Sequence, residues 1–356
     1  MAYTTINKAT DYFNTKLYTG NGSNNTAITG VGFQPDFVWI KNKETDTYEH
    51  HLMDVIRGWG TGSSDTPNIT SNNNAAEYDR NIFSSTGVTA DGFNLNNYSD
   101  TNENGHDFVA WNWKANGAGS SNTDGSITST VSANTTSGFS IVKYTGTGAN
   151  ATIGHGLGSA PACIITKRLD TSNNWGVGHD GLHATVAWEK YIEINNTNIV
   201  EDHIGQWQDT APTNSVFYVG DSNSSNASGD GMIAYCFANK TGYSKFGSYT
   251  GNGSTDGAFI YTGFKPAWVM IKRTDATSRW RMYDNKINPF NVADTRLSAE
   301  SSDAENTGTA NAIDMISQGF KIRTSESQLN ASGGNFIYMA FGQSLVGSNN
   351  IPCTAR

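Results

Sequence analysis

Long polar stretches rich in Gly, Asn, Ser and Thr alternate along this chain with short apolar runs. Three runs, FVWIK (37–41), CIITK (163–167) and WVMIK (268–272), are almost continuously apolar, as interior strands are. Three more, FVAWNW (108–113), MIAYCF (232–237) and FIYMAF (336–341), alternate in part. In the first of these, Phe108, Ala110 and Asn112 should face one way and Val109, Trp111 and Trp113 the other. FSIVKYTG (139–146) mixes apolar and polar positions as a half-buried strand does. No long stretch carries the 3.6-residue period of a helix. The pattern predicts an all-β protein.

The runs recur at fixed spacing. YTGNG opens at Tyr18 and Tyr249 and YTGTG at Tyr144, and Pro35, Pro266 and Pro161 each follow 17 residues later. Phe93, Phe217 and Phe320 lie 20, 20 and 21 residues before the ends of the final runs. The edges of a unit are thus constant while its middle varies, which is the mark of an internal threefold repeat. A unit of about 100 residues is the size of a domain rather than of a solenoid repeat. The expected organisation is three tandem antiparallel β-sandwich (jelly-roll-like) domains, each with its own core. Residues 1–114 hold a short N-terminal arm and the first unit. Residues 115–138, rich in Gly, Ser, Thr and Asn, form a linker or an extended strand lying on a neighbour. The second unit spans 139–242, and the third, with an irregular tail, 243–356.

Composition agrees and narrows the function. Aromatics reach 11% and charged residues only 15%, and helix formers are scarce. The net charge of −9 carries no basic patch, which argues against a nucleic-acid partner. Cys163, Cys236 and Cys353 are too few and too scattered for a disulfide framework or a zinc site. The polar N-terminus reads as lacking a signal peptide, and no apolar run approaches a membrane span.

Chemical motifs are weak. GVGHDG (176–181) fits the glycine fingerprint of dinucleotide sites but lacks the strand and helix around it, so a glycine-rich turn is expected. DTNENG (100–105) begins like a calcium loop, yet position 12 is Trp111 instead of an acid. A looser Asp/Asn calcium site near Asp100 is the alternative to a polar hairpin loop. His179 and His183 would pair on a helix, which Gly181 opposes, and His50 and His51 would face opposite sides of a strand. No metal or cofactor is expected. No G-x-S-x-G elbow occurs and no carboxylate pair recurs, so nothing points to an enzyme. Trp175 and Trp280 share a repeat position and read as framework, and Trp39 and Trp268, in the post-proline runs, as core. Trp59 in RGWGTG and Trp207 in IGQWQD sit among turn residues in the variable middles. They are the candidate ligand-binding residues, since exposed aromatics stack on sugars and anchor interfaces. The alternative is that each plugs the end of its sandwich.

MAYTTINKATDYFNTKLYTGNG, GVGFQPDFVWIK, DGSITSTVSANTTSGFSIV, MIAYCF and SKFGSYTGNGSTDGAFIYTGFKPA together resemble repeated-domain proteins of marine tailed bacteriophages. The resemblance covers nearly the whole chain. It implies concanavalin- or SPRY-like β-sandwiches and a virion role, mainly in tail fibres or appendages, with recognition of host-surface glycans. It brings no catalytic residues. It implies synthesis in the host cytoplasm, residence on the tail or particle surface, and partners among other virion proteins and copies of the chain, with trimers common. Two rival expectations are a capsid or tail decoration protein without a ligand, and a polysaccharide depolymerase. The chain departs from long fibres in having only a short N-terminal arm and no heptad or collagen-like shaft, so it would dock directly on other virion proteins or pack with copies of itself.

Overall fold

The computed structural model describes residues 4–59 and 65–344. The tail around Cys353 lies outside the described residues. The protein is all-β: several antiparallel sheets, none closed into a barrel, with only single turns of helix between strands.

Three sheets have six strands each. In the first, the final apolar run Asp107–Trp113 pairs on one side with Phe13–Thr19 and on the other with the post-proline run Phe37–Asn42. The second places Gly231–Phe237 between Phe139–Thr145 and Cys163–Arg168. The third places Asn335–Gly342 between Ser244–Thr250 and Pro266–Arg273. The first and last strands of each segment are therefore neighbours, which accounts for the constancy of its edges. Residues 115–138 are not a free linker. Ser120–Asn122 and Ser129–Asn134 extend the second sheet beyond Phe139–Thr145, and Val131 enters the core beneath.

Each large sheet is apolar on both faces, and the faces go to different places. Phe108 and Ala110 point outward into a core closed by the small sheet of Thr26–Thr29, Gly92–Leu95 and Phe83–Thr89. Similar outer cores lie under Ala151–Gly154 with Val216–Val219, and under Phe259–Tyr261 with Gly319–Ile322 and Ile313–Ile316. The alternate residues Val109, Trp111 and Trp113 point inward, as do Tyr235, Phe237, Met339 and Phe341. They enter one core common to all three sheets. The rings of Trp113, Phe237 and Phe341, which end the three final runs, meet there with centroids 5.7–6.5 Å apart. The expectation that each segment has a core of its own thus holds for the outer faces only. Trp39 and Trp268 are in the shared core, on the same face of their strands though two positions apart.

Contacts between sheets run in one direction around this core. The Glu77 N–H donates to Leu169 O (2.7 Å), Val200 N–H to Thr274 O (2.9 Å) and Glu305 N–H to Lys43 O (2.7 Å). The three acceptors each lie eight residues beyond Pro161, Pro266 and Pro35, so the third segment closes back on the first. Trp175 and Trp280 add indole N–H bonds to Thr70 O (3.1 Å) and Glu193 O (2.8 Å) of the preceding segment. Buried Asp54 accepts from the Tyr235 hydroxyl (2.8 Å), and buried Asp284 from the Trp111 indole (3.0 Å) and the Thr15 hydroxyl (2.6 Å).

The YTG-x-G string has a physical cause. A single helical turn precedes each final strand, and its last residue is a buried asparagine: Asn102, Asn226 or Asn330. Each Oδ1 accepts the backbone N–H of the residue between the two glycines, at 3.0, 2.8 and 2.9 Å. Each Nδ2 lies within hydrogen-bond distance of three oxygens of the surrounding loops. The second glycine of the string has φ between 65° and 70°, where a side chain is strained. A Cβ on the first would fall 2.1–2.3 Å from a carbonyl oxygen of the adjoining turn. The tyrosines complete the latch: Tyr18 donates to Thr101 O and Tyr249 to Leu329 O, both at 2.7 Å, and Tyr144 to Ser225 O at 2.5 Å.

Two outcomes follow for stability. Asn226→Ala should cost on the order of 3 kcal/mol in denaturant unfolding, because buried loop carbonyls lose their donor, while Tyr144→Phe should cost about 1 kcal/mol. Phe341→Ala should cost about 3–5 kcal/mol. Because the core is shared, calorimetry should then show one transition at lower temperature, and separate melting of a segment would contradict that.

Candidate functional site

Groups suited to acid–base chemistry are mostly withdrawn from solvent. His50, His155 and His179 are buried, and burial lowers their pKa values, that of His179 to about 4. His179 donates to Tyr338 O (3.1 Å) across a sheet junction and so serves packing. His51 faces Asn68 Oδ1 and Asp100 Oδ2, both at 3.1 Å. Asp100 sits in the helical turn Ser99–Asn102, not in a hairpin loop, and its carboxylate meets His51 while Asn102 is taken up by the latch. Among the described residues no three His, Cys, Asp or Glu side chains gather as metal ligands would.

Gly176–His179 is a buried strand rather than the expected turn. Its glycines answer a packing need. A Cβ at Gly178 would lie 2.4 Å from Trp188 and 2.8 Å from Trp207, and one at Gly176 would lie 2.1 Å from Gln206.

That geometry also places Trp207. Its ring is 1% exposed, meets Trp188 edge-on at 5.7 Å and covers Gly178. It is a core residue, and the ligand-contact expectation for it is corrected: no face of the indole reaches solvent. Trp59 is half-buried, packed edge-on against Phe83 at 5.4 Å over the outer core of the first sheet. The turn residues around both tryptophans suggested exposure; tertiary packing buries Trp207 and leaves Trp59 partly open.

Among the described residues, the large aromatics that stand exposed rather than half-buried belong to the third segment. Phe259 and Tyr261 stand on the outer face of their edge strand, and Phe290, at 73%, is the most exposed large apolar residue described. Phe290 lies in INPFNV, a turn-rich, segment-specific string, so the reasoning that singled out Trp59 applied equally to it.

Phe290 borders a groove of about 530 Å³, within the size range of small-ligand sites. The groove lies between the loop after Trp280–Asp284, the start of the post-proline strand and the end of the final strand. Two buried or braced amides hold the loop. Asn288 bonds both N–H and O of Thr295, and Asn291 both N–H and O of Met315. Lys265, Asn285 and Gln343 form the polar wall. A second, more open groove of about 420 Å³ in the second segment holds Glu193 and Asp221. There Glu193 already accepts from the amides of Asn174, Asn196 and Asn198, so its oxygens are committed to structure.

The fold and its surface define an all-β protein with a shared internal core and polar grooves on its outside. A family model described as a domain of unknown function, DUF7483, matches residues 8–344, and the chain belongs to that family. No curated protein and no solved structure matches it. The family match runs through all three large sheets as one unit.

Buried bases fix a pH dependence. Lys41, Lys167 and Lys272, six residues beyond Pro35, Pro161 and Pro266, are buried with ammonium groups on backbone carbonyls; burial lowers their pKa values to about 8. The unfolded chain holds more protons than the folded one between about 4 and 6.5 for His179 and between about 8 and 10.5 for the lysines. These bases therefore add stability as pH rises through each window, until above about pH 9 the buried Cys163, Cys236 and tyrosines, whose pKa values burial raises, act in the opposite sense. Denaturation midpoints measured from about pH 4 to 6.5 and from about pH 8 to 9 check this; a midpoint that falls as pH rises through either range contradicts it.

Proposed function

We propose that the chain is a non-catalytic structural protein of a bacteriophage particle, a tail fibre or appendage component that contacts host-surface glycans. In this reading it is three copies of one jelly-roll-like β-sandwich unit, docked on other virion proteins and on copies of itself. The observation that carries the proposal is the contrast between framework and surface. Latch, lysine, proline and inward aromatics recur in all three segments, whereas the exposed aromatics and the Phe290 groove belong to one. A constant scaffold with segment-specific loops suits recognition by many weak contacts multiplied over copies on a particle. The resemblance to phage virion proteins supports the setting, and the burial of His50, His51, His155 and His179 and the committed oxygens of Glu193 support binding over catalysis.

Gold-labelled antibody on intact particles, viewed by electron microscopy, should mark the tail or its appendages, and the purified chain should block adsorption. Label spread over the capsid would favour a decoration role, and absence of label would remove the virion assignment.

A further inference from the structure

The Phe290 groove has the parts of a site for one chemical class of ligand. The loop presents its aromatic ring at a fixed position. Asn288 and Asn291 each spend both ends of their amides on backbone, and the Asn288 N–H donates to Asp284 O (2.8 Å). Leaving a phenyl ring 73% exposed forgoes burial worth roughly 25 cal/mol per Å². A rigid rim holding such a ring above a polar trough is arranged to stack it on something.

The trough leaves three polar groups available. Gln343 Oε1 is buried and accepts no hydrogen bond from the described residues. The side-chain amide of Asn285 and the ammonium of Lys265 have no hydrogen bond or ion pair among the described residues, although both line the groove. Lys286, by contrast, is spent on Asn14 Oδ1 (2.8 Å) and Thr15 O. An apolar flat face, a buried acceptor, an amide and one free cation converge. A pyranose fits all four: its C–H face stacks on Phe290, its hydroxyls donate to Gln343 and exchange bonds with Asn285, and an acidic substituent meets Lys265. In a chain of net charge −9, a lone unpaired lysine at a groove is a local inversion of sign, suited to selecting an anion.

The position is peculiar to the third segment. The residue before the repeat proline is Lys265 there, but Gln34 and Ala160 in the others; two residues past the final aromatic stands Gln343, against Ala115 and Asn239.

We propose that this groove binds an acidic pyranose, a uronate or a sulfated sugar. The inference rests on the glycan-recognition reading and assigns it a place and a ligand class.

Isothermal titration of the full chain with trigalacturonate, a sulfated trisaccharide and neutral cellotriose tests it. The wild-type chain should bind at least one acidic trisaccharide more tightly than cellotriose, with an affinity that falls as salt rises. Which acidic probe binds tells uronate from sulfate ester. Phe290→Ala should weaken binding about tenfold or more with an unchanged melting temperature, because the ring is exposed. Lys265→Met should abolish the preference for acid while leaving residual binding common to all three sugars. Binding that survives both substitutions would overturn the groove but leave glycan recognition standing elsewhere on the chain. No acidic trisaccharide bound overturns the inference, and only that result joined to failure of the chain to block adsorption would remove the recognition reading with it.

Discussion

Everything in this fold depends on three large sheets turning one apolar face toward each other. A six-stranded sheet that is apolar on both sides cannot stand in water with one side bare. The small outer sheets cover one side; the other finds cover only in the two neighbouring sheets. Trp113, Phe237 and Phe341 meet there because each ends the strand that lies between the first strand and the post-proline strand of its segment, so three chain-distant aromatics become one cluster. No segment can complete its core without the other two. The DUF7483 match, which spans 8–344 without division, follows the same boundary.

A purely apolar interior would leave the sheets free to slide. Polar groups at the junctions set the register: Asp54 with Tyr235, His179 with Tyr338, Asp284 with Trp111 and Thr15. Each is costly to bury unpaired and is satisfied only when neighbouring sheets are aligned. The lysines do likewise. Lys167 and Lys272 each reach a carbonyl of the preceding segment as well as one of their own loop. Their low pKa values record the cost of that burial. With alignment settled inside, the loops on the outside are free to differ, and the Phe290 groove is one such difference.

The strands were legible because their periodicity is simple. The inward and outward parity of Phe108 to Trp113 follows from the two-residue repeat of a strand and is observed. The latch asparagines were missed, although Asn102, Asn226 and Asn330 lie 84, 82 and 81 residues beyond Tyr18, Tyr144 and Tyr249. Their surrounding strings, SDTN, NSSN and SQLN, share little else, so the signal was one residue type at a slightly drifting distance. The lysines had a steadier signal, always six residues past the proline. A lysine closing an apolar run ordinarily reads as a solvated strand end, and only the neighbouring segment makes it buried.

The sequence by itself determined the class, the position of the strands and which residues share a face, because these are set by near neighbours in the chain and by the geometry of the backbone. It also determined where the chain must turn, since the glycines of YTG-x-G carry that requirement locally. The tertiary structure alone decided that the three inward faces form one core, that Gly176 to His179 is a strand under two tryptophans, and that Trp207 is hidden while Phe290 is not. Exposure is a property of what packs above a residue. For these side chains that cover, or its absence, comes from chain tens of residues away, where local pattern has no reach.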